Sequence, residues 1–246
     1  TLHHEGTRLQ TKEEDVIYTF HETMMELLSH KSEEKFVEVK RTDCLEAAQE
    51  LQAAGFKVAV LCMGNFNKPG GHVKSGDDSQ EEEIHCRTDY SRFTEKYLLG
   101  RGYPCSSEDP IVLVQTGVTI IRGPKSTGYN FLNDTPESIT MITVAVKKKI
   151  VKYTDKVRGK NLYKDIKDKE DMRIRIRLVL HAILKSDCNA VVLSALGCGL
   201  HGHPPAAVAA MFKAEIYRVG ERLPKAIYFA VLDDNTAADS NFEIFK

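Results

Sequence analysis

Apolar and polar positions along the chain fall into blocks that alternate between two periods. Phe36-Val37-Glu38-Val39 alternates like a strand, and Thr42-Asp43 then caps a helix that runs to about Ala54 and stops at Gly55. Lys57 to Cys62 is nearly continuous in apolar residues, the pattern of a strand buried on both faces. A loop rich in Gly, Asn and Pro spans Gly64 to Ser79, and helical character resumes from Gln80 to about Leu99. Ile111–Val114 and Val118–Ile121 flank Gln115-Thr116-Gly117, which predicts a β-hairpin. Ile139–Val146 is another β-branched run. Asp168–Lys185 predicts a helix with Ile174, Leu178, His181 and Ala182 on one face and Arg173, Arg175 and Arg177 exposed. Ala190–Ser194 is a short buried strand, Pro204-Pro205 opens the next helix, and Ala226–Leu232 gives a last strand. Helices alternating with buried strands predict an α/β protein, a three-layer α/β/α domain around a mixed central sheet. No internal repeat is visible.

Composition narrows the class. With 246 residues, 42% of them hydrophobic, and a formal charge of −1, the chain is neither a disordered tail nor a low-complexity linker. One sizeable domain is expected over residues 36–246, preceded by an acidic arm or helical extension over 1–35. Thr1 to Gly6 has no apolar signal-like run and no apolar stretch approaches the ~20 residues of a membrane span, so an intracellular, cytoplasmic protein without membrane contact is expected. Six scattered cysteines without a CxxC pair suit reduced thiols, with Cys62 and Cys188 as small core residues. His201-Gly202-His203 lacks paired cysteines or carboxylates at ligand spacing, so no metal site is expected.

The near-zero net charge is unevenly spread. Residues 147–169 hold ten basic and three acidic side chains, a local charge of +7, which leaves −8 for the rest. Such a block reads either as a solvated loop or as a patch that meets an acidic protein face. A pI near 6.7 argues against nucleic acid as the partner.

Three features carry candidate chemistry. Asn65-Phe66-Asn67-Lys68-Pro69-Gly70-Gly71-His72 follows a buried strand, where glycines let backbone N–H groups converge on phosphate oxygens, although such a loop can equally be an ordinary turn. Gly197-Cys198-Gly199-Leu200-His201 repeats the strand, Gly-rich loop, helix order, and a helix N-terminus there suits a diphosphate. Neither loop fits GxGxxG or GxxxxGK[ST]. Gln80-Glu81-Glu82-Glu83 places adjacent carboxylates at a helix start, just beyond the first loop.

Together these segments resemble the microbial-type poly(ADP-ribose) glycohydrolases, a branch of the macrodomain superfamily. The family pattern is an Asn-Phe-Ala-Asn-Pro-Gly-Gly-Gly loop, a spacer of six to eight residues and Gln-Glu-Glu; here seven residues separate His72 from Gln80. Similarity continues at Ser138–Ala145, around Arg175 and at Leu193–Val208, and more weakly over most of 36–232. The resemblance implies a macrodomain-like fold and an ADP-ribosyl hydrolase that releases ADP-ribose from modified protein or polymer. The alternative is a non-catalytic ADP-ribose reader. It further implies Glu82 as catalytic acid and Glu81 as the residue holding the ribose hydroxyls. Asn65, Gly70, Gly71, His72 and Gln80 would bind ligand from the first loop, and Gly197, Cys198, Gly199, Leu200 and His201 the diphosphate from the second. No cofactor is implied; the partners would be ADP-ribose and ADP-ribosylated protein. For Glu82 to hold a proton, burial or the Glu81 charge must disfavour its ionisation. His72 replaces the family's third glycine, Lys68 its second asparagine, and His201 its second-loop aromatic. Asp77-Asp78 add negative charge, which would favour a cationic leaving group such as a modified arginine.

Overall fold

The computed structural model describes residues 9–10, 16–18, 36–76, 79–94, 103, 110–132, 138–156, 159–232 and 240–246. Ten strands are seen among them: β1 (Leu9–Gln10), β2 (Val16–Tyr18), β3 (Phe36–Lys40), β4 (Val58–Gly64), β5 (Val112–Thr119), β6 (Ser138–Ala145), β7 (Lys152–Asp155), β8 (Lys160–Tyr163), β9 (Ala190–Leu193) and β10 (Ala226–Ala230). Eight of them form one mixed sheet in the order β1-β2-β5-β6-β4-β9-β10-β3, and β7-β8 form a separate antiparallel hairpin. The side from β1 to β6 is antiparallel, whereas β6, β4, β9, β10 and β3 run parallel.

Helices cover both faces, as the sequence predicts. Along β4, Val58, Val60 and Cys62 pack with α1 (Cys44–Ala53) and with Ile84 of α2 (Gln80–Arg87). The intervening Ala59 and Leu61 pack with α4 (Ile166–Lys185) and α5 (Pro205–Val219). Side chains of a strand point alternately to opposite faces, so a continuous apolar run needs both layers. Each fully buried aliphatic side chain of this kind contributes about 2 kcal/mol. A single-turn helix α3 (Ser91–Thr94) and a C-terminal helix α6 (Asn241–Phe245) complete the elements, with Phe242 and Phe245 against the second layer. Asp43 caps α1 by accepting from the amides of Leu45 and Glu46 at 2.7 and 3.0 Å, and Gly55 at φ +84° ends it.

Three expectations are corrected. Gln115-Thr116-Gly117 is a β-bulge rather than a hairpin turn: β5 continues through it along β6 with a register shift, and Gly117 takes φ +72°. The helix expected to reach Leu99 ends at Arg87. There the Thr88 hydroxyl donates to the Ile84 carbonyl at 2.7 Å, Thr88 bridges Ile120, and the Asp89 amide donates to Thr119 at 3.1 Å, so the sheet captures the backbone. Within residues 1–35, the described segments are strands β1 and β2, which extend the sheet beyond β5; the rest of the expected arm or helical extension lies outside the described residues.

The third concerns Arg175, which is fully buried, while Arg173 and Arg177 are half-buried and pair with Glu170 at 3.1 Å and with the buried Glu215 at 2.9 Å. Arg175 shares a helix face with buried Met172 and Val179, and its guanidinium is satisfied twice. It binds Asp171, one turn earlier, at 2.9 and 3.1 Å, and donates to the Ala145 carbonyl at 2.5 Å, where β6 ends. Replacing it as Arg175→Leu leaves Asp171 and that carbonyl without their partner. The expected cost is about 3 kcal/mol of unfolding free energy by urea denaturation, and a change near zero would contradict this role.

Candidate active site

Three neighbouring parallel strands, β6, β4 and β9, deliver their C-terminal ends to one edge of the sheet. In open α/β sheets a ligand crevice forms at such an edge. Here a cavity of about 570 Å³ opens between the loop after β4 and the loop after β9. It is lined by Met63, Gly64, Asn65, His72, Ser79, Gln80, Glu81, Glu82, Lys148, Gly197, Gly199, Leu200 and His201, and its size suits a nucleotide-sized molecule.

The start of α2 aims Glu81 and Glu82 into this space, both nearly fully buried. Their oxygens are held by the first glycine loop. Glu81 accepts from the Asn65 amide at 2.6 Å and the Gly70 amide at 2.8 Å. Glu82 accepts from the His72 amide at 2.8 Å and from the Ser79 hydroxyl. The loop N–H groups expected to converge on phosphate therefore converge on the two carboxylates. Such a close approach needs glycine: a Cβ on Gly71 (φ +49°) would collide with Glu82 Oε1, and one on Gly70 (φ +72°) would meet the His85 ring at 3.0 Å.

The two carboxyls differ. Burial, with the Glu82 charge beside it, pushes Glu81 up to about 7 despite its two amide donors. Burial acts on Glu82 too, but the His72 amide, the Ser79 hydroxyl and its own amide outweigh it and hold that carboxyl below the usual range. The expected order of protonation is thus reversed in the unliganded protein: Glu81 carries the proton more readily.

Gln80 is committed to the frame. Its carbonyl accepts from the Met63 amide at 2.8 Å, and its amide donates to the Leu61 carbonyl at 3.0 Å and Ser194 Oγ at 3.1 Å. Ser194 in turn donates to Ala230 at 3.0 Å, so one glutamine ties α2 to β4, β9 and β10. Asn65 Oδ1 accepts from the Asn67 amide at 2.9 Å, an Asx turn that shapes the loop.

The second loop is more open. Among the described residues, the amides of Gly199, Leu200 and His201 have no partner within the protein, and Leu200 is 96% exposed. Gly197 (φ +72°) lies against His203, which a Cβ would meet at 2.6 Å. Burial, with Lys148 nearby, lowers His201, so its ring is readily neutral and suited to stacking. Burial also raises Cys198 to about 12, which keeps it a thiol.

Of the residues predicted from sequence, Asn65, His72, Gln80, Glu81, Glu82, Gly197, Gly199, Leu200 and His201 line the one cavity. Gly70, Gly71 and Cys198 lie behind it; the two glycines touch the glutamates and His85, and the Cys198 thiol faces Leu196 O at 3.6 Å. Asp77 and Asp78 fall outside the described residues. Two lining residues were missed, Ser79 and Lys148. Ser79 stands three residues before Glu82, the spacing of a capping box, and that signal was available. Lys148 was hidden within the basic block, and only the adjacency of β6 to β4 brings it here. Among the described residues, no group of three or more His, Cys, Asp or Glu is arranged to hold a metal.

Because folded Glu81 binds its proton more tightly than the unfolded chain does, its contribution to stability falls as pH rises from about 4.5 to about 7. Its size is up to about 3 kcal/mol. Urea unfolding of wild type and Glu81→Ala across this window tests it. Wild-type stability relative to the variant should decline with pH, and a constant difference would place the proton elsewhere.

Comparison with known proteins gives one family-model match and several similar folds. Residues 3–99 match the family model described as microbial-type PARG, catalytic domain. No curated protein matches the chain. Among solved structures, poly(ADP-ribose) glycohydrolase from Thermomonospora curvata, bound to the inhibitor ADP-HPD, is similar at 24% identity and a TM-score of 0.69, covering 94% of this chain and 84% of that one. The poly(ADP-ribose) glycohydrolase of Deinococcus radiodurans in complex with ADP-ribose is similar at 19% identity and a TM-score of 0.72, covering 95% and 93%. Over residues 3–99 the chain therefore carries the microbial-type PARG catalytic-domain pattern, on a fold similar to that of the bacterial poly(ADP-ribose) glycohydrolases.

Proposed function

We propose that the chain is an ADP-ribosyl hydrolase that cleaves the glycosidic bond at ribose C1″ and releases ADP-ribose from modified protein. The observation that carries this reading is the buried Glu81–Glu82 pair, held by loop amides and facing the unpartnered amides of the second glycine loop across one cavity. Binding of ADP-ribose by the Deinococcus radiodurans structure and of ADP-HPD by that of Thermomonospora curvata supports it.

In this scheme the second loop holds the diphosphate through the amides of Gly199, Leu200 and His201, with the His201 ring stacked on the ligand. Remote binding energy is thereby converted into orientation of the distal ribose. Ribose hydroxyls donate to Glu81, which favours its ionised form and leaves the proton of the pair to Glu82. Glu82 gives that proton to the departing oxygen or nitrogen as the C1″ bond breaks and its electron pair leaves with the departing group. Positive charge develops on the ribose, as in other glycoside hydrolyses. Water then attacks C1″ and loses its proton to the Glu82 carboxylate, which regenerates the acid.

Glu82→Ala should lower the rate of ADP-ribose release by at least about 100-fold while leaving ADP-ribose binding measurable. Intact-protein mass measurement of an ADP-ribosylated substrate reads the first, and calorimetry the second. Release by the variant at the wild-type rate would remove Glu82 from the catalytic role. Binding without release by wild type and variant alike would make the chain a reader.

The modified protein is the finer part of the proposal. The β7-β8 hairpin carries much of the basic block, and Lys152 and Lys156 have no carboxylate partner among the described residues. Tyr153 and Val151 are exposed beside them. We read this surface as the contact for an acidic face of the substrate protein. The double variant Lys152→Glu/Lys156→Glu should slow release from protein several-fold, more at low than at high salt, with ADP-ribose affinity unchanged. Equal loss of both would contradict the assignment.

A further inference from the structure

The segment after β6 is more tightly organised than a solvated lysine run requires. Lys147, Lys148 and Lys149 point to three different tasks. Lys147 pairs with the buried Asp168 at 2.5 Å. Lys149 takes φ +61°, a left-handed conformation that is strained for a non-glycine residue and persists only where the surroundings impose it. Lys148, between them, lines the cavity.

Two hydrogen bonds from the second glycine loop impose that turn. The Ile150 amide donates to the His201 carbonyl at 3.2 Å, and His203 Nε2 meets the Lys147 carbonyl at 2.9 Å. His203 is 1% exposed, and its other nitrogen, Nδ1, meets the Tyr163 hydroxyl at 2.8 Å. A carbonyl only accepts, so Nε2 carries the hydrogen and Nδ1 accepts from Tyr163, the tautomer this arrangement requires. Both ring nitrogens are thus spent, which also removes His203 from any metal site with His201. The histidine adds one junction among three pieces: the hairpin through Tyr163, the segment after the second glycine loop through its own backbone, and the lysine turn through the Lys147 carbonyl.

Electrostatics gives the turn its purpose. The cavity wall holds two carboxylic residues, and Lys148 is its one lysine or arginine among the described residues. Lys148 has no hydrogen-bond or ion-pair partner there. A diphosphate entering beside Glu81 and Glu82 meets like charge at short range, and unpartnered amides alone offset it only in part. We propose that Lys148 is the cation that binds the diphosphate of the ADP-ribosyl ligand, and that His203 is the positioning residue that holds Lys148 at the cavity wall through the Lys147 carbonyl. This rests on the ADP-ribose reading of the site given above.

Calorimetric titration of the full chain with ADP-ribose, at low and high salt, tests it. Lys148→Ala should weaken binding about tenfold at low salt and flatten its salt dependence, and Lys148→Arg should recover most of the loss. His203→Leu should weaken binding to a similar extent, and the double variant Lys148→Ala/His203→Leu no further, because the two act on one contact. His203→Gln, with one donor and one acceptor, should restore binding. Tyr163→Phe provides the same coupling test if His203→Leu does not fold, and circular dichroism establishes that each variant is folded. Wild-type affinity and salt dependence in Lys148→Ala would overturn the assignment of the cation. Additive losses in the double variant would overturn the positioning role. Absence of ADP-ribose binding by the wild type would overturn the functional reading itself, and this inference with it.

Discussion

Two buried carboxylates held by the backbone amides of the loop that precedes them are the constraint around which the site is arranged. A carboxylate removed from water needs donors, and Glu81 and Glu82 find theirs in Asn65, Gly70, His72 and Ser79. Those amides reach the carboxylates because Gly70 and Gly71 occupy left-handed backbone conformations and leave room for the side chains. The helix bearing the glutamates is in turn fixed by Gln80, bonded to two positions of β4 and to Ser194 beyond β9. Loop, helix and central strands therefore form one connected unit, and the asymmetry between the two carboxyls is a property of that unit.

Buried charge is used in the same way away from the cavity. Arg175 binds Asp171 and ends on the Ala145 carbonyl, which fixes the point where β6 gives way to the lysine turn. Arg87, at the end of the helix that begins with Gln80, reaches Asp43 at 2.9 Å, and Asp43 also caps α1. A partnerless charge in either place would cost several kcal/mol, so each pair fixes a single arrangement of its elements. Two buried arginines thus fix elements that carry the site without lining its cavity.

Much of this was legible in the sequence, for identifiable reasons. Apolar runs at Lys57–Cys62, Ala190–Ser194 and Ala226–Leu232 became β4, β9 and β10 because continuous apolarity has few other uses at that length. The two glycine loops and the glutamate pair were found by their spacing and meet in one cavity. What escaped depends on contacts distant in the chain. Gly117 as a bulge requires knowing that β5 pairs with β6 on both sides of it. Burial of Arg175 requires the Ala145 carbonyl thirty positions away, and the destination of the loop amides requires the packing of α2 against β4. The block at 147–169 misled by its composition: average charge hid a paired lysine, a cavity lysine and a two-stranded hairpin.

The replacement of the family's third loop glycine by His72 acquires a simple meaning in this frame. The service demanded of that position is one N–H directed at Glu82, and His72 supplies it from φ −111°, a conformation open to every amino acid. Positions 70 and 71 are bound to glycine by stereochemistry, whereas position 72 is bound only to having an amide hydrogen. Proline alone is excluded there on that ground, and the His72 side chain lines the cavity. The amide that holds Glu82 is thereby written in the main chain, while the His72 side chain helps electrostatically to keep that same carboxyl below its usual range.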